Sequence, residues 1–256
     1  MIINYPLSTC KNKKYLELPL NLNSKKAINL KAMLSLKQAG DMAYYNKRNN
    51  SSRKTFFSAL QINEKRIFSV YQKHTKKVVF IKKGTIPEDY SSQIADGMIT
   101  DDSNCILSIT VGDCLPIFII DKSNYDFGLI HSGWKGTGII KVATSLMKKK
   151  LGTNLKNLKV LIGPGIGPCC YKVEKKRYNF IISSFGRNAG QIKNNGFYID
   201  MKQANINMLN KLGIEDIAIV EDCTCCNLNL SSFRRDGKLG LNLMIALIGY
   251  FHGGGK

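Results

Sequence analysis

Two residue types that bind metals or act as nucleophiles flank neighbouring apolar runs in GDCLPIFIIDKSNYDFGLIHSGWKG, residues 112–136. Cys114 precedes the run PIFIID and His131 ends the run FGLIHS, with polar turn residues between the runs. A hairpin with a two-residue turn pairs Cys114 with His131, and directly opposed residues have Cβ atoms about 4.5–5.5 Å apart. A thiolate and an imidazole at that separation suit zinc or copper, or a Cys–His nucleophile.

A third ligand is available among the three histidines of the chain. His74, in YQKHTKKV, lies beside predicted strands, whereas His252 lies in the terminal FHGGGK and is expected to be exposed and idle. Together His74, Cys114 and His131 form a His2Cys set that leaves a fourth position open, the arrangement of catalytic zinc. The alternative is that each is a packed residue at a strand end, and spacing alone does not separate the two.

Other chemistries stay open at this stage. Cys114 and His131 suit a metal-free cysteine hydrolase, which has no use for His74. A zinc-binding interaction module would hold the metal without turnover. A four-copper oxidase is disfavoured, because three histidines are too few ligands for four coppers.

The hydrophobic pattern places these residues in a chain of mixed strands and helices. Strands are predicted for CILSITVGD, PIFIID, FGLIHSG, LKVLIG and DIAIVED, and around His74 in RIFSVYQKHTKKVVFI. Helices are predicted for SSRKTFFSALQI, GTGIIKVATSLMKKKLG with a cap at Gly152, MKQANINMLNKLG, part of INLKAMLSLKQAGDMAYYNKRN, and LNLMIALIGYF. The sequence therefore predicts an α+β fold, a single domain over residues 1–256 with layered mixed β-sheets flanked by helices.

Composition and charge limit the classes of binding partner and the cellular compartment that we expect for the protein. The net charge is +20, but 31 of the 38 basic residues are lysines scattered in twos and threes, so we expect solvated charge and no nucleic-acid partner. The resulting field attracts small anions such as phosphate. The N-terminus has no signal-peptide core, and the longest apolar stretch, residues 241–251, is too short to span a membrane. We expect a cytoplasmic protein with reduced cysteines and no membrane partner.

Two cysteine clusters lie outside the set of His74, Cys114 and His131. Cys169 and Cys170 follow the loop GPGIGP, whose glycines indicate a close approach to a ligand or another backbone. Both are predicted to be buried packing residues. Cys223, Cys225 and Cys226 form either a second metal site or a packed cluster, and packing is favoured because no histidine lies near them.

Four long motifs give the chain a recognisable pattern. Four segments resemble, in order, successive motifs of a bacterial family. They are ADGMITDDSNCILSITVGDCLPIFIID, GLIHSGWKGTG, IGPGIGPCCYKV and CTCCNLNLSSFRRDGKLG. That family was long described as laccase-domain or multicopper polyphenol oxidases and is now described as purine nucleoside phosphorylases. The segments AGDM, RKTFF and QKH also fit, so the resemblance covers residues from about 29 to 245.

The resemblance implies a metal, a reaction and a fold. It implies a zinc site, with copper as the other candidate metal, formed by His74, Cys114 and His131. It implies phosphorolysis of adenosine, inosine and S-methyl-5'-thioadenosine, with adenosine deamination as a second activity. The implied fold is a single α/β domain with layered mixed sheets, and the implied state is a monomer.

Further residues are candidates for catalysis and for phosphate binding. Asp113, next to Cys114, is a candidate to transfer protons or to orient His131. The phosphate candidates are Arg53, Lys135, Arg234 and Arg235. The alternative for each is exposed, solvated charge. Backbone N–H groups of the turn GWKGTG are a further candidate cradle for an anion, unless the turn merely joins a strand to a helix.

The chain departs from the family pattern at several positions. Lys135 replaces an arginine, which removes the planar, bidentate fork that suits phosphate. Leu241 stands where the family has an arginine, Ser52 where it has an asparagine, and Gly112 where it has an alanine. The three metal-ligand positions match the family pattern, whereas fewer of the candidate anion-binding positions carry arginine. We therefore expect an effect on rate or substrate preference rather than on reaction class.

Overall fold

The computed structural model describes residues 2–5, 14–22, 29–45 and 48–251, and its fold is α+β, as predicted. The strands are β1 (Ile2–Tyr5), β2 (Tyr15–Leu18), β3 (Leu30–Ser35), β4 (Tyr44–Tyr45), β5 (Arg48–Asn49), β6 (Ile67–Ser69), β7 (Val78–Ile81), β8 (Gly97–Thr100), β9 (Ile106–Val111), β10 (Leu115–Asp121), β11 (Phe127–Ser132), β12 (Leu158–Ile162), β13 (Lys172–Val173), β14 (Gly190–Lys193), β15 (Gly196–Ile199), β16 (Asp216–Val220) and β17 (Met244–Tyr250). The helices are α1 (Ser51–Ala59), α2 (Glu88–Ser91), α3 (Ile139–Leu151), α4 (Lys175–Phe185), α5 (Met201–Lys211) and α6 (Phe233–Gly240).

Two mixed sheets contain most of the strands. The larger sheet has the order β1-β16-β12-β10-β11-β8-β7, in which β10 and β11 are antiparallel and β7 and β8 are parallel. The second sheet has the order β2-β3-β17-β9-β6. The prediction of layered mixed sheets is confirmed, and the strands predicted around the Cys114–His131 stretch are β9, β10 and β11.

Three apolar clusters hold the layers together. The first lies between the two large sheets and joins Phe118 and Leu129 of the larger sheet to Leu107 and Ala246 of the smaller one. The second fills the space between the other face of the larger sheet and helices α3, α4 and α5. The third packs the phenylalanines of α1 against the outer face of the smaller sheet. The order of layers is therefore helix, sheet, sheet, helices.

Helix α3 forms where it is predicted and starts next to the candidate site. Its last turn is basic, and Gly152 ends it with a φ of 68°, the left-handed conformation that glycine tolerates. The turn GWKGTG before it is tight, because a Cβ added to Gly136 would lie 3.0 Å from the carbonyl oxygen of Thr75. This turn therefore packs directly on the loop that carries His74.

Two segments that the pattern predicts to be helical are strands. Residues 30–35 form β3, and residues 244–250 form β17 instead of a last helix. Strand β17 pairs with β3 on one side and β9 on the other, and six of its seven residues are buried. A fully buried strand is apolar on both faces, so its sequence shows no alternation and resembles a buried helix.

The hairpin of β10 and β11 forms, but the predicted register is shifted by two residues. His131 lies opposite Pro116, and Ser132 lies opposite Leu115. The turn is longer than two residues because Tyr125 takes a φ of 62° and donates its N–H to the carbonyl of Asp121. A shift of two keeps every side chain on its predicted face, so Cys114 and His131 become diagonal neighbours on that face.

In the part of the chain that the structure describes, no helix combines the length and the apolar content needed to cross a bilayer.

Candidate functional site

The structure brings the three predicted metal ligands together. One donor atom from each of His74, Cys114 and His131 lies within 4.8 Å of the other two. The imidazole rings of the two histidines meet edge to face, with centroids 4.8 Å apart. His131 is buried, Cys114 is half-buried and His74 is exposed, so the set has one side toward the protein and one toward solvent. Two imidazoles and a thiolate are ligands that suit zinc or copper.

Space for an ion depends on Gly133. A Cβ added there would lie 2.7 Å from the Cys114 sulfur and 3.1 Å from Cδ2 of His74, so any side chain would occupy the space between the ligands. Gly133 follows directly after β11, across the hairpin from Cys114. The donor atoms and the space that glycine leaves both fit a metal ion.

Asp96 positions both histidines, and sequence reasoning missed it. Its buried carboxylate accepts a hydrogen bond from the Nδ1 of His131 at 2.8 Å, which leaves Nε2 of that ring for a metal. It also accepts the backbone N–H groups of Lys73, His74 and Thr75, and so supports the unusual φ of 57° at His74. The available signal was its place in the motif ADGMIT, at the start of β8.

Gln72 fixes the His74 loop from the other side. Its amide oxygen accepts the backbone N–H and the hydroxyl of Thr110, and its amide nitrogen donates to the Thr110 carbonyl. These three hydrogen bonds hold the loop against the end of β9. The glutamine in the segment QKH therefore acts as a positioning residue, a role that the sequence analysis did not assign.

The electrostatics of the metal-free site favour an ion pair between Cys114 and His131. Burial opposes ionisation of the thiol, but the charge and hydrogen bond of His131, with the help of His74, outweigh it and lower the pKa of Cys114 to about 6. Burial likewise opposes protonation of His131, but the charge of Cys114 and the hydrogen bond that His131 donates to Asp96 raise the pKa of His131 to about 9. A thiolate is therefore present at neutral pH, ready to act as a ligand or a nucleophile.

A cavity of about 540 Å³ opens in front of the three ligands. Its walls include aromatic and aliphatic side chains from several loops, namely Trp134, Ile166, Tyr171, Met201, Phe233 and Leu241. A volume of this order accommodates a small organic ligand, and apolar walls with few polar groups are typical of such sites. Leu241 adds an apolar surface to this wall.

Two basic side chains line the cavity beside the tryptophan. The Lys135 Nζ lies 5.7 Å from the centre of the Trp134 ring, and the guanidinium carbon of Arg177 lies 4.2 Å from it. Lys135 is one of the predicted phosphate residues. Arg177, on α4, was not predicted, because nothing in the spacing of KVEKKR distinguishes it from neighbouring charges. It supplies the guanidinium that Lys135 lacks.

The other predicted phosphate residues have different contacts. Arg53 is only 1% exposed and donates to the Met42 carbonyl and the Ser69 hydroxyl. Arg235 donates to the carbonyls of Thr224, Cys225, Asn227 and Leu230 and pairs with Asp236. These contacts favour structural roles for Arg53 and Arg235, and neither belongs to the described residues that line the cavity.

Arg234 and Asp113 connect a loop to the site. The guanidinium of Arg234 donates to the carbonyls of Cys170 and Lys172, and its backbone N–H donates to Asp113. The other carboxylate oxygen of Asp113 accepts the Thr224 hydroxyl at 2.6 Å. The hypothesis that Asp113 orients His131 is therefore wrong, since Asp96 does so. Asp113 does line the cavity, so its predicted catalytic role stays a prediction.

The cysteine clusters also differ from expectation. Cys169 is exposed rather than buried, and Cys170 is half-buried. Cys169 and Cys170 converge with Cys223 and Cys226 into one group of four, and Cys225 lies outside that group. The glycines before them do permit a close approach to backbone, as predicted, because a Cβ on Gly165 would lie 2.9 Å from the Asp113 carbonyl oxygen. His252 lies outside the described residues.

The chain is similar to proteins of a known family. The model of the family described as "Multi-copper polyphenol oxidoreductase laccase" matches residues 36–249. The chain belongs to this family. A protein named purine nucleoside phosphorylase from Borreliella burgdorferi is 32% identical over 173 residues, which are 63% of this chain and 75% of that protein. One of the same name from Aquifex aeolicus is 30% identical over 175 residues, covering 68% of this chain and 78% of that protein.

A solved structure shares the fold. YlmD from Geobacillus stearothermophilus superposes with a TM-score of 0.78 at 24% identity, over 90% of this chain and 98% of that chain. The order of sheets and helices described above is thus a fold that crystal structures also show.

We expect Gly133→Ala to abolish metal binding at this site. The added methyl group would lie 2.7 Å from the Cys114 sulfur, where an ion between the ligands needs the space. Elemental analysis of the purified variant should find about one metal ion fewer per chain than in the unaltered protein. Gly240→Ala is the control, because a Cβ there meets nothing closer than 3.7 Å. Equal metal content in both variants would contradict the assignment.

Asp96→Asn should weaken the metal site about 10–100-fold without removing a ligand. The amide keeps the shape of the side chain, but it carries no charge to hold the imidazole and the three backbone N–H groups of residues 73–75. Competition with a chromophoric chelator measures the affinity. Asp101→Asn removes an exposed carboxylate just after the same strand and should change nothing. An unchanged affinity in Asp96→Asn would exclude its positioning role.

Arg53→Ala should lower the free energy of unfolding by about 2–3 kcal/mol, because a buried guanidinium loses its hydrogen bonds to Met42 and Ser69. Urea unfolding measures this, with the exposed neighbour Lys54→Ala as the control. Phosphate dependence of any activity should stay the same. The opposite result, normal stability with impaired phosphate use, would restore Arg53 as a phosphate residue.

Proposed function

We propose that this chain is a zinc-dependent purine nucleoside phosphorylase that acts on adenosine, inosine and S-methyl-5'-thioadenosine. The observation that carries the proposal is the position of the His74, Cys114 and His131 donor atoms on the wall of a cavity with aromatic and basic side chains. The names of its relatives support the same reaction class. The proposal includes adenosine deamination as a second activity of the site.

The aromatic wall suits a purine base. Trp134, Tyr171 and Phe233 offer flat apolar surfaces on which a purine can stack. Burial and the nearby charge of Cys114 raise the pKa of Tyr171, so its phenol stays protonated at neutral pH. A protonated phenol can donate a hydrogen bond to a purine nitrogen as the base leaves. The wall therefore supplies both stacking and a donor for the leaving group.

The basic pair suits phosphate. Phosphorolysis breaks the C–N glycosidic bond through a transition state with positive charge on the ribose, so a phosphate dianion must be held close to that carbon. Lys135 supplies a mobile charge, and the guanidinium of Arg177 supplies two parallel donors. Holding both reactants in position contributes up to about 7–11 kcal/mol in favourable cases. We therefore assign phosphate binding to Lys135 and Arg177.

The ligand set suits zinc with one open position. When bound, zinc acts as a Lewis acid and lowers the pKa of a coordinated water to roughly 7, which is the chemistry that deamination of adenosine requires. The chain itself keeps His131 in the tautomer that presents Nε2, through the hydrogen bond between Nδ1 and Asp96. The partners in this proposal are nucleosides and phosphate, with the protein acting as a cytoplasmic monomer that binds neither nucleic acid nor membrane.

One observation favours a second candidate function. The lowered pKa of Cys114 and the raised pKa of His131 describe the thiolate and imidazolium of a metal-free cysteine hydrolase. That chemistry does not use His74. Full activity in a His74→Ala variant that holds no metal at this site would favour the hydrolase, whereas loss of activity together with the metal favours the phosphorylase.

The purified protein should convert inosine and adenosine to free base and ribose 1-phosphate only when phosphate is present. Chromatography of the products measures this, and release of inosine from adenosine without phosphate measures deamination. Cys114→Ala should lose both activities, because it removes a ligand from the centre of the site. Turnover in the complete absence of phosphate, with free ribose as the product, would show that the reaction is hydrolysis and not phosphorolysis.

Arg177→Ala should raise the KM for phosphate about tenfold and leave the KM for inosine nearly unchanged. A tenfold change corresponds to about 1.4 kcal/mol, the order expected for a hydrogen bond to a charged group. Arg187→Ala is the matched control, since Arg187 is an exposed arginine just beyond the end of the same helix. Similar phosphate KM values in the two variants would assign phosphate binding elsewhere.

A further inference from the structure

Four cysteines from two distant loops meet at one point on the protein. Cys169 and Cys170 lie in the loop between β12 and β13, and Cys223 and Cys226 lie in the loop between β16 and α6. Their sulfur atoms all lie within 4.8 Å of one another. The Cys226 sulfur is 3.6 Å from that of Cys169 and 3.4 Å from that of Cys170, and all four are free thiols.

These distances suit a tetrahedral thiolate site and are too long for a disulfide. Four sulfurs at about 2.3 Å from a central zinc lie about 3.8 Å apart. The Cys226 sulfur lies 3.6 Å and 3.4 Å from two of the others, close to that value, and no pair of the four exceeds 4.8 Å. A disulfide needs about 2.05 Å between sulfurs. Cys169 and Cys226 are exposed, so apolar packing does not account for their convergence.

The backbone of both loops is shaped around the sulfurs. Cys223 and Cys226 have the C-x2-C spacing of zinc sites and lie in a turn in which the Cys226 N–H donates to the Cys223 carbonyl. The Gly167 N–H donates to the Cys223 sulfur at 3.1 Å. A Cβ on Gly167 would lie 3.2 Å from the Cys169 sulfur, so a larger residue would crowd the group. Such N–H donors stabilise thiolates.

Positively charged side chains contact the backbone of both cysteine loops. A zinc ion with four thiolates carries a net charge of −2. Arg234 donates to the carbonyl of Cys170, and Arg235 donates to the carbonyl of Cys225. Lys202 donates to the carbonyls of Glu221 and Asp222, just before Cys223. Three cations therefore lie against the two loops.

We propose that Cys169, Cys170, Cys223 and Cys226 bind a structural zinc ion in a closed, four-coordinate site. Four protein ligands leave no position for a substrate, so this ion takes no part in turnover. It joins the loop that carries Ile166 and Tyr171 to the loop that leads to Phe233, and all three of these residues line the cavity. The zinc site therefore holds one wall of the cavity in place. Its existence does not depend on which reaction takes place in the cavity.

Metal content under reducing conditions tests the proposal. The unaltered protein should hold about two zinc ions per chain, and Cys226→Ser about one. Cys225→Ser is the matched control: its thiol lies in the same turn but outside the group of four, and the variant should keep both ions. Equal zinc content in the Cys226→Ser and Cys225→Ser proteins would overturn the proposal. So would iron in place of zinc, or a disulfide between Cys169 and Cys226.

A second measurement needs no change in the four cysteines. The Cys114→Ala protein, which lacks a ligand of the other site, should still bind one Co²⁺ ion when stripped and titrated with cobalt. Four thiolates give an intense charge-transfer absorption and the visible bands of tetrahedral cobalt. Removing the ion with a chelator should lower the melting temperature of this variant by at least about 4 °C. Weak absorption from octahedral cobalt, or an unchanged melting temperature, would overturn the structural site.

Discussion

The buried carboxylate of Asp96 is the interaction on which the candidate site depends. It lies at the start of β8 and accepts hydrogen bonds from the ring of His131 on β11 and from three consecutive N–H groups of the His74 loop. Those bonds balance the cost of burying a charge, and they hold the pKa of Asp96 at about 2, against the effect of burial. One side chain thus sets the tautomer of one histidine and the backbone conformation of the other.

The sheets bring these parts together at one edge. The end of β9, the start of β10 and the end of β11 lie on the same side of the molecule. Thr110, Cys114 and His131 are therefore close together, and short connections suffice to place them. The strands themselves are almost entirely buried between apolar layers, which fixes their position. Gln72 and Gly133 then complete the geometry, one by binding the end of β9 and the other by leaving space between the ligands. Precision at the site comes from rigid strand ends rather than from the loops.

Periodicity and spacing were sufficient to predict strands β9, β10 and β11, helix α3 and the shared face of Cys114 and His131, because these depend on local patterns and on which face a side chain takes. The predicted hairpin register was wrong by two residues, because the turn contains Tyr125 in the left-handed conformation and no turn motif in the sequence indicates it. Cys114 and His131 nevertheless lie on the same face, as predicted. Strand β17 was predicted as a helix because burial on both faces removes the alternation that identifies a strand. Asp96 was missed because its partner His131 lies 35 residues away. Arg177 was missed because its partner Trp134 lies in a turn of a distant part of the chain.

The arginines show why charge alone locates a site poorly. Arg53, Arg234 and Arg235 belong to motifs that resemble the family pattern, but their guanidinium groups donate to backbone carbonyls of loops and of the segment before α1. A loop that leaves a sheet has carbonyls without strand partners, and a guanidinium satisfies several of them at once. Around the four cysteines this arrangement also places positive charge next to thiolates. Arg234 and Arg235 therefore stabilise loops behind one wall of the cavity, while Lys135 and Arg177, beside the tryptophan, are the lysine and the arginine among the described residues that line it.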